Sequence, residues 1–507
     1  MKLLYTFLVS VIFLSSLNAQ EIQDGLRFSM DEITGTARFR AMSGAFGAVG
    51  GDLSAINVNP AGSAIFNASQ GTITLSNLDV DNDAVFFGTA TNDSENSFDL
   101  NQLGIVFVFN ETGGNSDWTR LALAFNYETT ANFDNQIFVA GTNTNNSIDN
   151  YFLSFADGVP LDLLSLREGE SINDLYQFLG ETEGFGAQQA FLGFQSFIID
   201  PLNPDNPDNT LYVSNVGSGP VFQEYSFISS GYNGKFTANF AAAYKDVLYL
   251  GLNLNIHSID YSQTTFLFEE ASNPDSFINE IGFENHLRSD GDGFSFQLGA
   301  IAKLNDYVRV GASYESPTWY DIRDRLVQSV RTLRTEGENQ ILEDISPNIV
   351  NFFPEYSLRT PGKLTGSLAL LFGQHGLLSF DYSYKDYSDM EFSPENDSFF
   401  RQQNQAIDQL LTDASAYRIG GEYRMGGLSL RGGYRYEDSP YKDGETLGEL
   451  DAFSLGLGYN FGIFNIDAAF EQAERDAKRP LFTTGLTDTA NMNITNTNVV
   501  LTLGMKF

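Results

Sequence analysis

The sequence predicts an all-β protein, a 14-stranded antiparallel transmembrane β-barrel with an N-terminal hatch plugging the lumen. Three observations carry that expectation. A short apolar leader opens the chain, segments of alternating character fill most of the remainder, and the connections between them alternate between long and short. Composition agrees. Of 507 residues, 42% are hydrophobic and 14% aromatic, with 47 Gly, 44 Phe and 23 Tyr, yet the mean hydropathy is only −0.18. Such a chain can clothe a wall in apolar side chains without being hydrophobic throughout, and it lacks the profile of disorder.

Residues 1–19 read as an export signal. Lys2 gives the basic start, Leu3 to Leu14 form an apolar stretch broken by Thr6 and Ser10, and Leu17-Asn18-Ala19 offers a small residue at the cleavage point. The competing reading is a buried helix or an uncleaved anchor. The stretch is too short for a bilayer, which needs about 20 residues. With no cysteine anywhere in the chain, a lipoprotein anchor is excluded, and no later run supplies 18 consecutive apolar residues.

Only helices and closed barrels cross a membrane, because lipid cannot satisfy backbone polar groups. A barrel strand shows apolar residues on alternate positions over about 10 residues. Leu378, Phe380, Tyr382 and Tyr384 alternate with Ser379, Asp381, Ser383 and Lys385. Phe453, Leu455, Leu457 and Tyr459 alternate with Ser454, Gly456, Gly458 and Asn460. The last segment sets Val499, Leu501, Leu503, Met505 and Phe507 on one face. Period two assigns each set to one side of a sheet. A soluble sandwich alternates too; the leader, the strand lengths and the terminal aromatic favour the membrane.

Connection lengths give a separate check. Backwards from Phe507, long stretches at 471–496, 437–450, 387–414, 317–361, 259–292 and 140–233 alternate with short ones at Gly462, Met425-Gly426, 373–376, 304–306 and Lys245-Asp246. Adding 110–117 and 89–97 gives thirteen connections and fourteen strands over residues 71–507. The even number returns both barrel ends to the periplasmic side and leaves the long connections outside. Asp290-Gly-Asp-Gly293 reads as a turn.

Residues 20–70 depart from the pattern. They are rich in Gly, Ala, Ser and Asn, suited to a compact plug, with a disordered leader as the alternative. The run Gly44-Ala-Phe-Gly-Ala-Val-Gly-Gly-Asp-Leu-Ser-Ala-Ile-Asn-Val-Asn-Pro-Ala-Gly62 resembles the hatch signature of FadL-type outer-membrane transporters. Tyr356-Ser-Leu-Arg-Thr-Pro-Gly-Lys-Leu364 is similar to that family's Thr-Pro element before a late strand. The resemblance implies a plugged barrel and passive uptake of hydrophobic compounds, long-chain fatty acids or similar lipids. It assigns hatch or gating roles to Asp52, Asn59, Pro60, Ala61 and Gly62. One departure stands at Gly51, where a first acidic residue is usual. The alternative is a structural or secretion-associated FadL-like barrel without small-molecule transport; apolar walls inside the lumen would favour transport, and a polar sealed lumen the structural role.

Other chemistry is thin. A formal charge of −37 and a pI near 4.2 argue against nucleic acid. The absence of cysteine removes thiolate metal sites and cysteine nucleophiles. The three histidines are His257, expected on an inward face with Asn253 and Asn255, and His286 and His375, expected in connections. No G-x-S-x-G, H-E-x-x-H or P-loop pattern appears, so no enzyme activity, cofactor or metal is expected. The partners expected are a hydrophobic or lipid ligand, outer-membrane lipid, and the barrel-insertion machinery through Phe507. The connection 140–233 holds Tyr151-Phe-Leu-Ser-Phe155 and Phe191-Leu-Gly-Phe-Gln-Ser-Phe-Ile-Ile199. Between them Ser171 and Asp174 resemble a helix-capping pair. Phe152, Phe155, Phe191, Phe194 and Ile198 are the capture candidates, and mutual packing is the plainer reading.

Overall fold

The computed structural model describes residues 22–111, 116–273 and 276–507; the leader, including the cleavage point at Ala19, lies outside them. Fourteen antiparallel wall strands close into a barrel. They are β1 (Gln70–Phe86), β2 (Thr89–Asn110), β3 (Trp118–Asn132, continued by Asn135–Asn143), β4 (Val221–Tyr244), β5 (Leu248–Ala271) and β6 (Ile278–Lys303). Then come β7 (Val308–Glu315 and Trp319–Glu336) and β8 (Asn339–Ile345 through Lys363–Leu371, interrupted). The last six are β9 (Gly376–Asp386), β10 (Asp413–Met425), β11 (Leu428–Glu437), β12 (Leu447–Asn460), β13 (Phe464–Pro480) and β14 (Thr489–Lys506). Closure is direct, with β1 paired to β14 from Gln70↔Lys506 to Val85↔Asn491. A barrel has no unpaired edge to satisfy, which is why this sequence can place backbone in lipid.

The outward face explains the membrane setting. On β14, Val499, Leu501, Leu503, Met505 and Phe507 are all exposed. Nine residues, 499 to 507, match the length of a tilted membrane-crossing strand. Aromatic residues rim the band. Trp118, Tyr307, Phe372, Tyr459 and Phe461 are exposed at the short-turn end, and Trp319, Tyr382, Tyr417 and Tyr434 at the other. Rings with one polar edge favour the headgroup level. Among the described residues no helix is long and apolar enough to cross a membrane.

Beyond the outer rim the strands do not stop, and here several expected loops are corrected. Residues 259–292 are mainly β5 and β6, joined near 272–277; 317–361 is largely a hairpin turning at Gly337-Glu338; 471–496 is strand except near 481–488; and 89–97 lies within β2, after a turn at Phe87-Gly88. His286 and Asp290-Gly-Asp-Gly293 consequently lie within β6, not in a connection or turn. The reason is solvation. Once the wall leaves lipid, outward positions such as Asp79, Asp81, Asp83 and Asn493 become polar, and the alternation that marks a strand fades.

The connection expected at 140–233 spans 144–220 and carries α3 (Asp149–Ala156), α4 (Leu161–Leu164), α5 (Ile172–Thr182) and α6 (Phe185–Gln195). Ser171 and Asp174 form the expected capping box on α5. These helices close the far end of the barrel over a shared apolar core with Phe227, Leu267, Phe283, Val330 and Met492. The connection 387–412 adds α7 (Ser398–Leu410).

Candidate functional site

Residues 22–66 run inside the lumen. α1 (Ile22–Ser29) sits highest, with Phe28 in edge contact with Phe133 and Tyr261 at centroid distances of 5.8 and 6.3 Å. α2 (Ala37–Arg40) follows, capped by Thr36, then two short 3-10 turns at Ser54–Asn57 and Pro60–Ile65. Irregular backbone inside a barrel must find its hydrogen-bond partners there. The wall supplies them from amides and hydroxyls. Asn253 donates to Ile56 O (2.8 Å), Gln297 to Asn57 O (2.9 Å), Ser313 to Val58 O (2.6 Å) and Asn239 to Pro60 O (2.9 Å). Going the other way, Gly47 N donates to Asp381 Oδ2 (2.9 Å) and Ala37 N to Thr502 Oγ1 (2.7 Å).

Asn59 ties the plug to itself and to the wall. Its backbone is extended, its Oδ1 accepts from Ala61 N (3.1 Å), and its Nδ2 reaches Gly47 O (2.8 Å), Ala300 O (3.0 Å) and Ala312 O (3.4 Å). Pro60 starts the 3-10 turn with a fixed φ, while Ala61 and Gly62 are buried within it. Gly51 N donates to Gly62 O at 3.0 Å, and Gly50 and Gly51 have φ of +63° and +67°. A Cβ on Gly50 would lie 2.9 Å from Gly62 Cα, so the two segments cross backbone to backbone. That left-handed pair accounts for the missing acidic residue at Gly51. Asp52 lies below it, accepting from Thr36 Oγ1 (2.7 Å) and Ser54 N (3.0 Å). Burial pushes the Asp52 carboxyl up, opposed by Arg38 and these two hydrogen bonds.

The hatch residues read from sequence thus converge, but the wall that receives them was not read. A Cβ on Gly299 would overlap Asn59 Oδ1 and come within 2.7 Å of Pro60 Cδ; one on Gly433 would stand 2.5 Å from Met42 C. The available signal was small and amide residues recurring on the inward face of strands, as in Gly251, Asn253 and Asn255.

Electrostatics add a second set of ties. Arg38 Nε donates to Glu422 Oε2 (3.0 Å), Arg40 pairs with Glu471 (2.9 Å), and Asp31 pairs with Lys363 (3.0 Å) and Lys385 (3.3 Å). Burial raises the Asp31 carboxyl, but the two ammonium groups overcome it and hold its pKa well below the usual carboxylate range. Glu32 differs. It has no cation within ion-pair distance, accepts one 3.4 Å bond from Asn132 N, and is exposed to an internal cavity. Burial within the barrel pushes its pKa up to about 7, against the Asn132 N–H and the fields of Arg40 and Arg435.

That cavity, about 260 Å³, lies between hatch and wall. Its lining is polar, with Arg27, Arg479, Asp99, Asn101 and Asn132 among the residues that face it. A smaller one of about 110 Å³ lies across Glu32-Ile33-Thr34 and is walled by His257, Lys363 and Arg418. The Phe- and Leu-rich interior expected for a greasy path is therefore corrected; inward positions here are amides, hydroxyls and charges. His257 is inward as expected, at 2.9 Å from Ser295 Oγ.

The larger cavity meets a break in the wall. β2 pairs with β3 from Gln102↔Glu128 to Asn110↔Arg120, and no further. Above that point β3 kinks at Phe133-Asp134 and its continuation pairs with β4 alone. Side chains close the seam instead. Asn132 Nδ2 donates to Ser97 Oγ (3.0 Å) and Asp99 Oδ2 (2.5 Å), Asn82 Nδ2 to Gln136 O (2.7 Å), and Thr91 Oγ1 to Phe138 O (2.6 Å).

At the far end, Phe152, Phe191 and Ile198 are completely buried in the helical cap, while Phe155 and Phe194 are half-buried against it. Tyr176 OH and Gln189 both bond Gln328 Oε1, at 3.1 and 2.7 Å, pinning α5 and α6 to β7.

Comparison with known proteins fits this arrangement. The crystal structure of a Pseudomonas aeruginosa FadL homologue superposes with a TM-score of 0.53 at 12% identity, over 94% of this chain and 100% of that one. The Pseudomonas putida toluene transporter TodX gives 0.50 at 14% identity, over 94% and 100%. These likenesses show the fold. No curated protein sequence matches the chain. The model of the family described as outer membrane protein transport protein (OMPP1/FadL/TodX) matches residues 235–507, more than half the sequence. The chain is an outer-membrane β-barrel and belongs to the OMPP1/FadL/TodX family of transport proteins.

Proposed function

We propose that the protein takes up hydrophobic small molecules passively, with long-chain fatty acids or similar lipids as cargo. The carrying observation is the 260 Å³ cavity that abuts the seam where β2 and β3 cease to pair. A ligand admitted past the cap reaches a chamber whose side wall is held by side-chain bonds alone. Arg27 and Arg479, stacked on Tyr261 and Phe227 at 4.1 and 3.8 Å, stand there to meet a carboxylate. Of the five capture candidates, Phe155 and Phe194 keep accessible surface; the other three serve packing. Asn59-Pro60-Ala61-Gly62 holds the hatch shut beneath the chamber, the long connections face outward, and Phe507 addresses the insertion machinery.

The seam supplies the test. The chain has no cysteine, so Ser97→Cys with Asn132→Cys can be bridged by a short bifunctional thiol reagent without background. Uptake of a fluorescent fatty acid should fall on bridging and return on reduction, while each single variant behaves like wild type. Undiminished uptake through a bridged seam would falsify the lateral route. The polar lumen favours a second reading, a barrel that carries no cargo. Uptake at background in cells carrying the unbridged wild-type protein would select it.

A further inference from the structure

The lumen wall carries an arginine cluster larger than the hatch requires. Arg418 on β10 and Arg435 on β11 are directly paired residues, both inward, and Arg475 projects inward from β13. All three are at least nine-tenths buried. Between β11 and β13, β12 presents Ala452 and Ser454, so no long side chain fills the space beneath the guanidinium groups. Arg40 of α2 arrives from the hatch side.

Within ion-pair distance these four guanidinium groups share two carboxylates. Glu437 lies 3.3 Å from Arg418 and 3.6 Å from Arg435; Glu471 lies 2.9 Å from Arg40 and 3.8 Å from Arg435. Asp381, paired across the sheet with Arg418, spends its Oδ2 on Gly47 N. Arg475 has no carboxylate within 4.0 Å among the described residues, and its Nη1 meets the Met30 thioether at that distance. Four buried N–H positions are left without a partner: Nε of Arg418, Nε and Nη1 of Arg435, and Nε of Arg475. Buried donors without acceptors are costly, and guanidinium groups are the side chains best matched to oxyanions.

We propose that Arg418, Arg435 and Arg475, with Arg40, form a binding site for a tetrahedral oxyanion, the phosphate or sulfate group. Donors arriving from three strands and a hatch helix need acceptor oxygens that do not lie in one plane. A phosphate supplies these, whereas a carboxylate presents two coplanar oxygens and suits one bidentate arginine. The 260 Å³ cavity lined by Arg40 and Arg435 admits such a group, either free or as the head of an amphiphile. The site stands apart from the uptake reading, since it is defined by binding and not by transport.

The test uses the full-length barrel in non-ionic detergent and chloride buffer, titrated calorimetrically with inorganic phosphate, decyl phosphate and decanoate. Saturable binding of inorganic phosphate identifies a free oxyanion site; binding of decyl phosphate alone identifies an amphiphile head. Either outcome supports the proposal if Arg475→Gln weakens binding at least tenfold, with Lys245→Gln at an exposed turn as control. Arg475 makes no ion pair, so this variant should fold where Arg435→Gln could fail; heat-modifiable migration confirms it. Absence of binding by both phosphates, equal binding by Arg475→Gln, or decanoate binding as tightly as either phosphate overturns it.

Discussion

Replacing Gly299 by Ala offers the sharpest probe of how the hatch is seated. The glycine lies on the inward face of β6, and its new methyl would overlap Asn59 Oδ1 while standing 2.7 Å from Pro60 Cδ and 3.0 Å from Asn59 Cγ. The proline ring and its backbone are rigid, so Asn59 must leave. It would forfeit its bonds to Gly47 O, Ala300 O and Ala312 O. At about 1 kcal/mol net for each bond, the seated hatch loses ~3 kcal/mol. Since ~1.4 kcal/mol is a factor of ten, the unseated population should rise about 100-fold. The outer wall is untouched, so the heat-modifiable barrel should persist. Planar-bilayer recording should show openings far more often than wild type. Gly366→Ala, where a Cβ meets nothing within 4 Å, should be silent. Wild-type opening frequency in Gly299→Ala, with the barrel intact, would refute the idea that Asn59 seats the plug.

Two further outcomes follow from single residues. Glu32 has a folded pKa near 7, above its unfolded value near 4.5. Between those limits the folded hatch holds a proton that the unfolded chain has released, so hatch stability is fully present at low pH and declines as pH rises through 7. Opening frequency should therefore increase between pH 6 and 8, and Glu32→Gln should flatten the profile near its acid limit; an unchanged slope in the variant would assign the dependence elsewhere. Phe507 packs on Phe107 at 6.2 Å and donates its N–H to Ser69 O at 3.0 Å, closing the last strand. Phe507→Asp should lower the amount of folded barrel in the outer membrane, measured by heat-modifiable migration, and equal amounts would remove the assembly role.

Legibility followed the solvent. Where a strand has lipid on one side and packed lumen on the other, as from Val499 to Phe507, period two is unbroken and the face assignment is immediate. Above the rim both faces meet water or polar neighbours, so Thr89–Asn101 and the upper parts of β5 and β6 read as loop although they are strand. The kink at Phe133-Asp134 left no local mark, because its cause is tertiary: Phe133 turns inward onto Phe28 and Tyr261. The hatch was legible because its turns demand Gly, Asn and Pro at fixed places. Its receptors were not, since Gly299 or Asn253 carries no meaning until the plug is opposite.

The polarity of the lumen is better explained by the plug than by the cargo. A segment without regular secondary structure brings dozens of backbone groups into a space where water is scarce, and each needs a partner. Asn239, Asn253, Gln297, Ser313 and Thr502 are inward polar residues, and each bonds hatch backbone. An amide-rich wall at this level is thus a structural requirement of carrying a hatch. A hydrophobic ligand need not cross that level if it leaves sideways. At the seam the exposed Phe98 and Leu100 on the outer edge of β2 lie next to Asp99 and Asn101, which line the cavity. Alternation along one strand therefore places polar chamber and apolar exterior within a residue of each other, where β3 has withdrawn its backbone bonds. The same polar interior that argues against a greasy pore straight through the barrel is compatible with a lateral one.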